Sequence, residues 1–194
     1  RSVYFSMKIA ARMDRMAPSG IRKVNEKALA MERQGEKVLH FEIGRPDFDT
    51  PASIREAAKA SLDAGDTHYP ENNGQPFLRQ AIARFEQEKH GLSYAPDEII
   101  VTVGATEALF CALFGILNPG DEVIVPTPAF GLYEAIIKLC RGVCVPLDTR
   151  ADGFQIRPAA LQAALSPRTK AIILTSPNNP TGCIYDHESL TAVY

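Results

Sequence analysis

Neither sign of charge dominates this chain: 21 Lys and Arg stand against 23 Asp and Glu, for a formal net charge of −2 at pH 7. That balance removes the electrostatic case for nucleic acid or an anionic membrane as a partner. No apolar run approaches the length needed to cross a bilayer. The N-terminal stretch carries Lys8, Arg12, Asp14 and Arg15 and lacks a continuous apolar core, so it is not a signal peptide. Met7 is a candidate natural start, which would make Arg1–Ser6 an extraneous leader. The four cysteines (Cys111, Cys140, Cys144, Cys183) have neither disulfide-framework nor metal-finger spacing. Cys111 and Cys140 fall on apolar faces of predicted helices, where packing is the expected role. The four histidines (His40, His68, His90, His187) are scattered without ligand spacing, so no metal site is expected. Walker A and G-x-G-x-x-G patterns are absent, which disfavours an ordinary nucleotide site. Repeats and low-complexity tracts are also absent. The expectation is a reduced, soluble, cytoplasmic protein.

What is present suits one ordinary domain or a piece of a larger one: 194 residues, 45% of them hydrophobic. The first 25 residues read as an arm with the breaker cluster Pro18-Ser19-Gly20. A helix is predicted over Ile21–Gln34, stopping at Gly35, then a strand-like segment over Val38–Ile43 and a turn at Gly44-Arg45-Pro46-Asp47. Thr50-Pro51 reads as a hydroxyl N-cap followed by Pro at the first helical position. That helix should bury Ile54, Ala57, Ala58, Ser61 and Leu62 and end at Gly65. After a polar loop holding Tyr69, a second amphipathic helix gathers Phe77, Leu78, Ala81, Ile82 and Phe85 on one face.

From Asp97 onward strands alternate with helices. Strands are expected at Glu98–Val103, Glu122–Val125, Val143–Leu147 and Ala171–Thr175. Helices are expected at Ala105–Leu117, Phe130–Arg141 and Pro158–Leu165, with another opening at Asp186. Short apolar strands separated by helices of this length predict an α/β fold, a mostly parallel sheet with helices on both faces. The last helix has barely begun at Tyr194, so the chain reads as the first part of a longer protein.

Several turns at expected strand ends could bind a ligand. Ser176-Pro177-Asn178-Asn179-Pro180-Thr181-Gly182 is a stiff turn leaving a buried strand, where α/β sheets place their ligands. Asn179 there can offer a donor and an acceptor, though a plain strand-to-helix turn fits the same residues. Gly104-Ala105-Thr106 opens an apolar helix after a strand and suits a phosphate, as do many ordinary α/β turns. Phe130, after Pro126-Thr127-Pro128, could stack on a flat ring or be core. Tyr69 lies in a polar loop and is harder to explain as core, whereas Gly44 is equally a turn glycine.

Taken together and in order, these elements resemble the class I/II aminotransferases, fold-type I enzymes that use pyridoxal phosphate. They are Gly44-x-Pro46-Asp47, Tyr69 before Gly74-x-Pro76-x-Leu78-Arg79, the Gly104–Leu109 turn, Pro126-x-Pro128-x-Phe130 and the Ser176–Gly182 turn. The nearest resemblance is to the bacterial aspartate-aminotransferase-like subgroup, from about Pro18 to the last residue. It implies an N-terminal arm and part of a small domain over residues 1–50, and a large cofactor-binding domain over 51–194 that is incomplete. It implies that Gly104, Ala105 and Thr106 cradle the cofactor phosphate, that Phe130 stacks on the pyridine ring, and that Asn179 hydrogen-bonds the ring hydroxyl. Tyr69 would reach the phosphate of a partner subunit, which implies a homodimer, and Gly44 would lie near the substrate carboxylate. Cis bonds are implied at Thr127-Pro128 and Asn179-Pro180. Amino acid and 2-oxo acid are the implied substrates.

The family's Schiff-base lysine has no counterpart here, nor do its Asp on the pyridinium nitrogen, its Tyr on the ring hydroxyl and its Arg for the substrate carboxylate. Lys138 sits in a predicted helix and Lys170 opens a predicted strand at the wrong end, so these 194 residues alone should be inactive. Thr106 stands where some acid-specific relatives carry Lys, which weakens a dicarboxylate preference. Two other readings share the motifs: a lyase using the same cofactor, either C–S cleaving or aminocyclopropane-carboxylate-forming, and a non-catalytic ligand-sensing module.

Overall fold

The structure is a computed structural model that describes residues 8–11, 13, 20–44 and 46–194. Met7 as a start, Pro18-Ser19 as a breaker and Arg45 in its turn lie outside the described residues. The chain divides into two compact units, residues 20–103 and, with the described N-terminal residues, 104–194.

The first unit is helical: α1 (Gly20–Arg33), α2 (Ala52–Asp63) and α3 (Pro76–His90). Helices α1 and α2 follow the sequence expectation to within a residue or two, and α3 holds the amphipathic segment expected after the Tyr69 loop. Helix α1 stops at Gly35, whose φ of +88° an L-residue resists. The expected cap of α2 is displaced: Pro51 takes the N-cap position and Thr50 makes no capping bond. None of α2's residues is buried, and Ile54 and Leu62 are exposed, contrary to the face expected to pack. Phe77 and Phe85 of α3 are exposed too. Apolar periodicity creates a face that needs a partner, and of these side chains Phe85 meets the His90 ring edge-to-face at 5.8 Å while staying exposed.

Two expected strands are absent for a related reason. Val38–Ile43 forms no ladder, and Leu39, Phe41 and Ile43 are exposed. Glu98–Val103 becomes a 3₁₀ turn at Pro96–Glu98 followed by residues that join no sheet. A strand is stable only when its N–H and C=O groups pair with a neighbouring strand, and here the Val101 N–H donates instead to Asn73 O, in the loop before α3, at 3.0 Å. That contact needs glycine at position 74: φ is +100°, and a Cβ there would sit 2.7 Å from Val101 Cβ.

The second unit runs α4 (Gly104–Ile116), β1 (Glu122–Thr127), α5 (Leu132–Leu139), β2 (Val143–Asp148), α6 (Pro158–Ala164), β3 (Thr169–Ile172) and α7 (His187–Val193). The three strands are parallel in the order β2-β1-β3, with Val123 opposite Cys144 and Ala171. Central β1 explains its unbroken apolar run. Val123 and Val125 pack with Leu113, Ile136, Ile137 and Cys140 of the α4–α5 layer. Ile124 packs the other way, with Leu147, Ile156, Leu161 and Tyr185 beneath α6 and α7. Helices therefore cover both faces, as expected. Full burial of Val123, Ile124 and Ile137 contributes about 2 kcal/mol each. Cys111, expected to pack, is exposed, whereas Cys140 is buried. Its helix α4 is apolar nearly all round, so not every apolar position on it can face the sheet.

The strand entries are held by charge. The Glu122 carboxylate accepts from Ser166 Oγ at 2.5 Å and from Arg168 Nε at 2.9 Å, and also pairs with Arg168 Nη2, joining the starts of β1 and β3. At the far end of the unit, Asp186 caps α7 as the sequence suggests, accepting from Ser189 N–H at 2.7 Å.

Candidate active site

The carboxyl ends of β1 and β3 deliver two proline-stiffened turns to one place. Strand β1 runs into the cis bond Thr127-Pro128 and then Phe130. Strand β3 leads through Thr175 into Ser176–Gly182, which holds cis bonds at Ser176-Pro177 and Asn179-Pro180. Both expected cis bonds are present, and the Ser176-Pro177 bond adds a third.

Two side-chain contacts join these turns. Asn178 is 8% exposed, and its Nδ2 donates to Pro128 O at 3.0 Å and to Thr181 Oγ1 at 2.9 Å. The Tyr133 hydroxyl and Thr175 Oγ1 share a hydrogen bond of 2.8 Å. Tyr133 also meets the Phe130 ring edge-to-face, with centroids 5.7 Å apart and an interplanar angle of 81°. Phe130 is thus held half-buried by an aromatic neighbour, while Asn179 at the crest of the second turn is exposed.

Helix α4 begins at Gly104, φ +80°, with open space where a Cβ would point. Ala105 and Thr106 follow, both exposed. Helix α4 is joined to β1 by the short link Leu117–Asp121. The amides of a first helical turn lack intrahelical acceptors and lie at the positive end of the helix dipole.

Of the residues singled out from the sequence, Gly104, Ala105, Thr106, Phe130 and Asn179 all belong to the second unit, where the Asn178–Pro128 bond ties the Phe130 and Asn179 turns together. Tyr69 and Gly44 belong to the first unit, where both are exposed on loops. Lys138 of α5 donates to Glu134 at 2.5 Å, and Lys170 sits at the amino-terminal end of β3. Neither lysine stands among the turns. A pocket of about 150 Å³ borders Phe130 and Tyr133, with Val125, Thr127, Cys144 and Pro146 among its other walls, and neither Asn179 nor a residue of α4 lines it. Among the described residues no group of His, Cys, Asp or Glu is arranged to hold a metal ion.

Sequence reasoning missed how the second turn is anchored. Gln155 Nε2 donates to Cys183 Sγ at 3.1 Å, and its Oε1 accepts from Asp186 N–H at 2.8 Å and from Ser189 Oγ at 3.0 Å. Arg157 pairs with Asp186 and Glu188 at 3.1 and 2.9 Å. The Ser189 hydrogen bonds, joined by Arg157, hold the Asp186 carboxyl below its ordinary range. Burial pushes the Tyr185 phenol up. Asn178 and Thr181 lay inside the quoted motif, but only the Asn178 contact with Pro128, and the Thr181 hydroxyl that accepts from the same amide, give them a task.

A parallel α/β sheet with ligand-ready turns at its carboxyl edge defines the class. Comparison with known proteins gives the family. The family profile "Aminotransferase class I and II" matches residues 36–194. An aspartate/prephenate aminotransferase of Thermus thermophilus is 43% identical over 186 residues, 95% of this chain and 48% of that protein. An aspartate aminotransferase of Geobacillus stearothermophilus is 40% identical over 188 residues, 96% of this chain and 48% of its own length. The solved T. thermophilus aspartate aminotransferase with maleate superposes with a TM-score of 0.91 at 42% identity, covering 96% of this chain and 49% of that one. A Pyrococcus furiosus alanine aminotransferase gives 0.87 at 34%, covering 96% and 48%. The chain belongs to the class I and II aminotransferase family, and it spans about half the length of the relatives it matches.

Proposed function

We propose that the full-length protein moves an amino group between an amino acid and a 2-oxo acid, using pyridoxal phosphate held at the carboxyl edge of this sheet. The observation that carries the reading is the hydrogen bond that ties the Asn179 turn to the Phe130 turn, in the same unit as the start of α4. The residues fit the group. Gly104 leaves room where a Cβ would stand, and Ala105 and Thr106 add amides and a hydroxyl suited to a phosphate. Phe130 offers an aromatic face, and exposed Asn179 offers an amide to a ring oxygen. Pyridoxal phosphate, when bound, supplies an electron sink for the bonds at the substrate's α carbon. This chain's residues bind and orient it; the residues that move the substrate proton are not among those identified here.

The same reading gives Tyr69 to the phosphate of a partner subunit in a homodimer and Gly44 to the substrate carboxylate. Exposure of both on loops supports this. It also treats residues 1–50 as an arm with part of a small domain and 51–194 as part of the cofactor-binding domain. The relatives' names cover aspartate, prephenate and alanine, so the reading commits to an amino acid and a 2-oxo acid without choosing the side chain. Four free thiols suit a reducing, cytoplasmic setting, and among the described residues no helix is long and apolar enough to cross a membrane. The test is to titrate the full-length protein with pyridoxal phosphate and then assay amino-acid turnover with and without a 2-oxo acid. Saturable binding and oxo-acid-dependent turnover are expected. Absence of binding, or release of pyruvate and ammonia independent of the oxo acid, would refute the reading.

A further inference from the structure

We infer that Asn178 is a positioning residue: its buried amide fixes the Asn179 turn against the Phe130 turn and so sets the spacing of two walls of the pocket. The inference rests on the pyridoxal phosphate reading above.

Asn178 uses its hydrogen-bonding groups almost completely. Its N–H donates to Cys183 O at 2.8 Å, and its carbonyl accepts from Gly182 N–H at 2.8 Å, which closes the turn on itself. Its side chain then points out of the turn, toward Pro128 O at 3.0 Å and Thr181 Oγ1 at 2.9 Å. Pro128 O can only accept, so the nitrogen of the amide must face it. Covalently, Asn178 is one residue from Asn179, and Pro128 is two from Phe130. One hydrogen bond therefore spans a sequence gap of 50 residues and joins the two side chains that would touch the cofactor ring. A donor of this length is required: Ala leaves the Pro128 carbonyl without it, and Asp presents an acceptor to an acceptor. Because the two turns are otherwise linked through Tyr133 and Thr175 nearer the strands, loss of the amide loosens the crest before it unfolds the sheet.

The test uses the full-length protein in wild-type, N178D, N178A, N179A and T181V forms. Two readouts are taken: the dissociation constant of pyridoxal phosphate, and the pH midpoint of the visible absorption of the bound cofactor. Thermal unfolding of the cofactor-free proteins is measured alongside. An amide donated to the ring oxygen favours that oxygen's anion, so misplacing Asn179 should raise the midpoint. N178D and N178A are expected to weaken binding by about tenfold or more and to move the midpoint in the same direction as N179A, since a lost buried hydrogen bond is felt on that scale. T181V keeps the bond to Pro128 and removes the Thr181 contacts with the Asn178 amide and the Cys183 N–H, so its affinity should stay within about threefold even where its unfolding temperature falls. Wild-type affinity and midpoint in whichever of N178D and N178A folds would overturn the inference while leaving the pocket reading intact. T181V weakening binding as much as N178D would also overturn it, by reducing the effect to general destabilisation. A wild-type protein that binds no pyridoxal phosphate would overturn both.

Discussion

Replacing Arg79 should release the loop that carries Tyr69. Arg79 is the buried residue of α3, 5% exposed, and its guanidinium reaches four acceptors. Nε donates to Gly74 O at 3.1 Å, Nη1 to Pro96 O at 3.0 Å and Asp97 Oδ1 at 3.1 Å, and Nη2 to Glu71 Oε2 at 2.8 Å. The two carboxylates matter less than they look: the Glu71 side chain is 56% exposed and that of Asp97 95%, so water takes over when the arginine leaves. The half-buried Gly74 carbonyl loses its arginine donor, whereas that of Pro96 keeps the Ile99 N–H at 3.3 Å, and orphaning an acceptor shielded from water costs about 1–3 kcal/mol. With the lost packing of the aliphatic stem, Arg79→Ala should destabilise this region by about 3 kcal/mol. Arg79→Lys keeps the stem and the charge but cannot fork to four acceptors, so it should recover part of that and not all.

The readout is amide hydrogen exchange at Val101, whose N–H is tied to Asn73 O across the loop. About 3 kcal/mol corresponds to roughly a hundredfold faster exchange or more in Arg79→Ala, with Arg79→Lys between that and wild type. Most of the loss should persist in about 1 M salt, because screening acts on the exposed carboxylate pairs and not on the carbonyl bonds. Exchange in Arg79→Ala within about threefold of wild type would refute the assignment, as would Arg79→Lys behaving like the parent. Disappearance of the effect in salt would show instead that the ion pairs carry it.

Two further outcomes follow from the second unit. Ser189 is fully buried, and its hydroxyl accepts from Ile156 N–H at 2.9 Å while donating to Gln155 Oε1, so Ser189→Ala should cost about 1–3 kcal/mol. Chemical denaturation checks this, and an unchanged midpoint would mean that the Ile156 amide finds another acceptor. Asp148, bonded to Arg150 by two oxygens and by the Arg150 N–H, has its carboxyl lowered from 3.8 to about 2. Its stabilising contribution is therefore present above its ordinary value and lost as pH falls through about 2. NMR titration should find the midpoint near there and see it rise toward 3.8 in Arg150→Gln; an unmoved midpoint would assign the shift elsewhere.

What the sequence could and could not convey divides along a physical line. β1 was legible because Val123-Ile124-Val125 is apolar on consecutive positions, and consecutive burial has few explanations besides a central parallel strand. Val38–Ile43 and Glu98–Val103 carry a similar local signal yet form no ladder, because a strand is a relation between two segments and the window contains only one. The apolar face of α2 failed as a prediction of burial for the same reason. Periodicity reports that a face wants covering, not what covers it.

The motif at the site has this limit in its sharpest form. Two adjacent asparagines have identical chemistry and identical claims on a ligand, and the stiff turn around them cannot choose between them. The choice is made by the Pro128 carbonyl, 50 residues upstream in the chain, which draws Asn178 inward and leaves Asn179 at the exposed crest. The resemblance to the family put the ligand on the second asparagine, and the geometry supplies the reason the first is unavailable. Substituting either residue should therefore disturb cofactor binding, but by different routes: Asn179 by removing a contact, Asn178 by letting that contact drift. A double substitution then costs little more than N179A alone, since the position of a missing amide has no consequence. Additive losses in that pair would show that Asn178 acts on the cofactor through something other than Asn179.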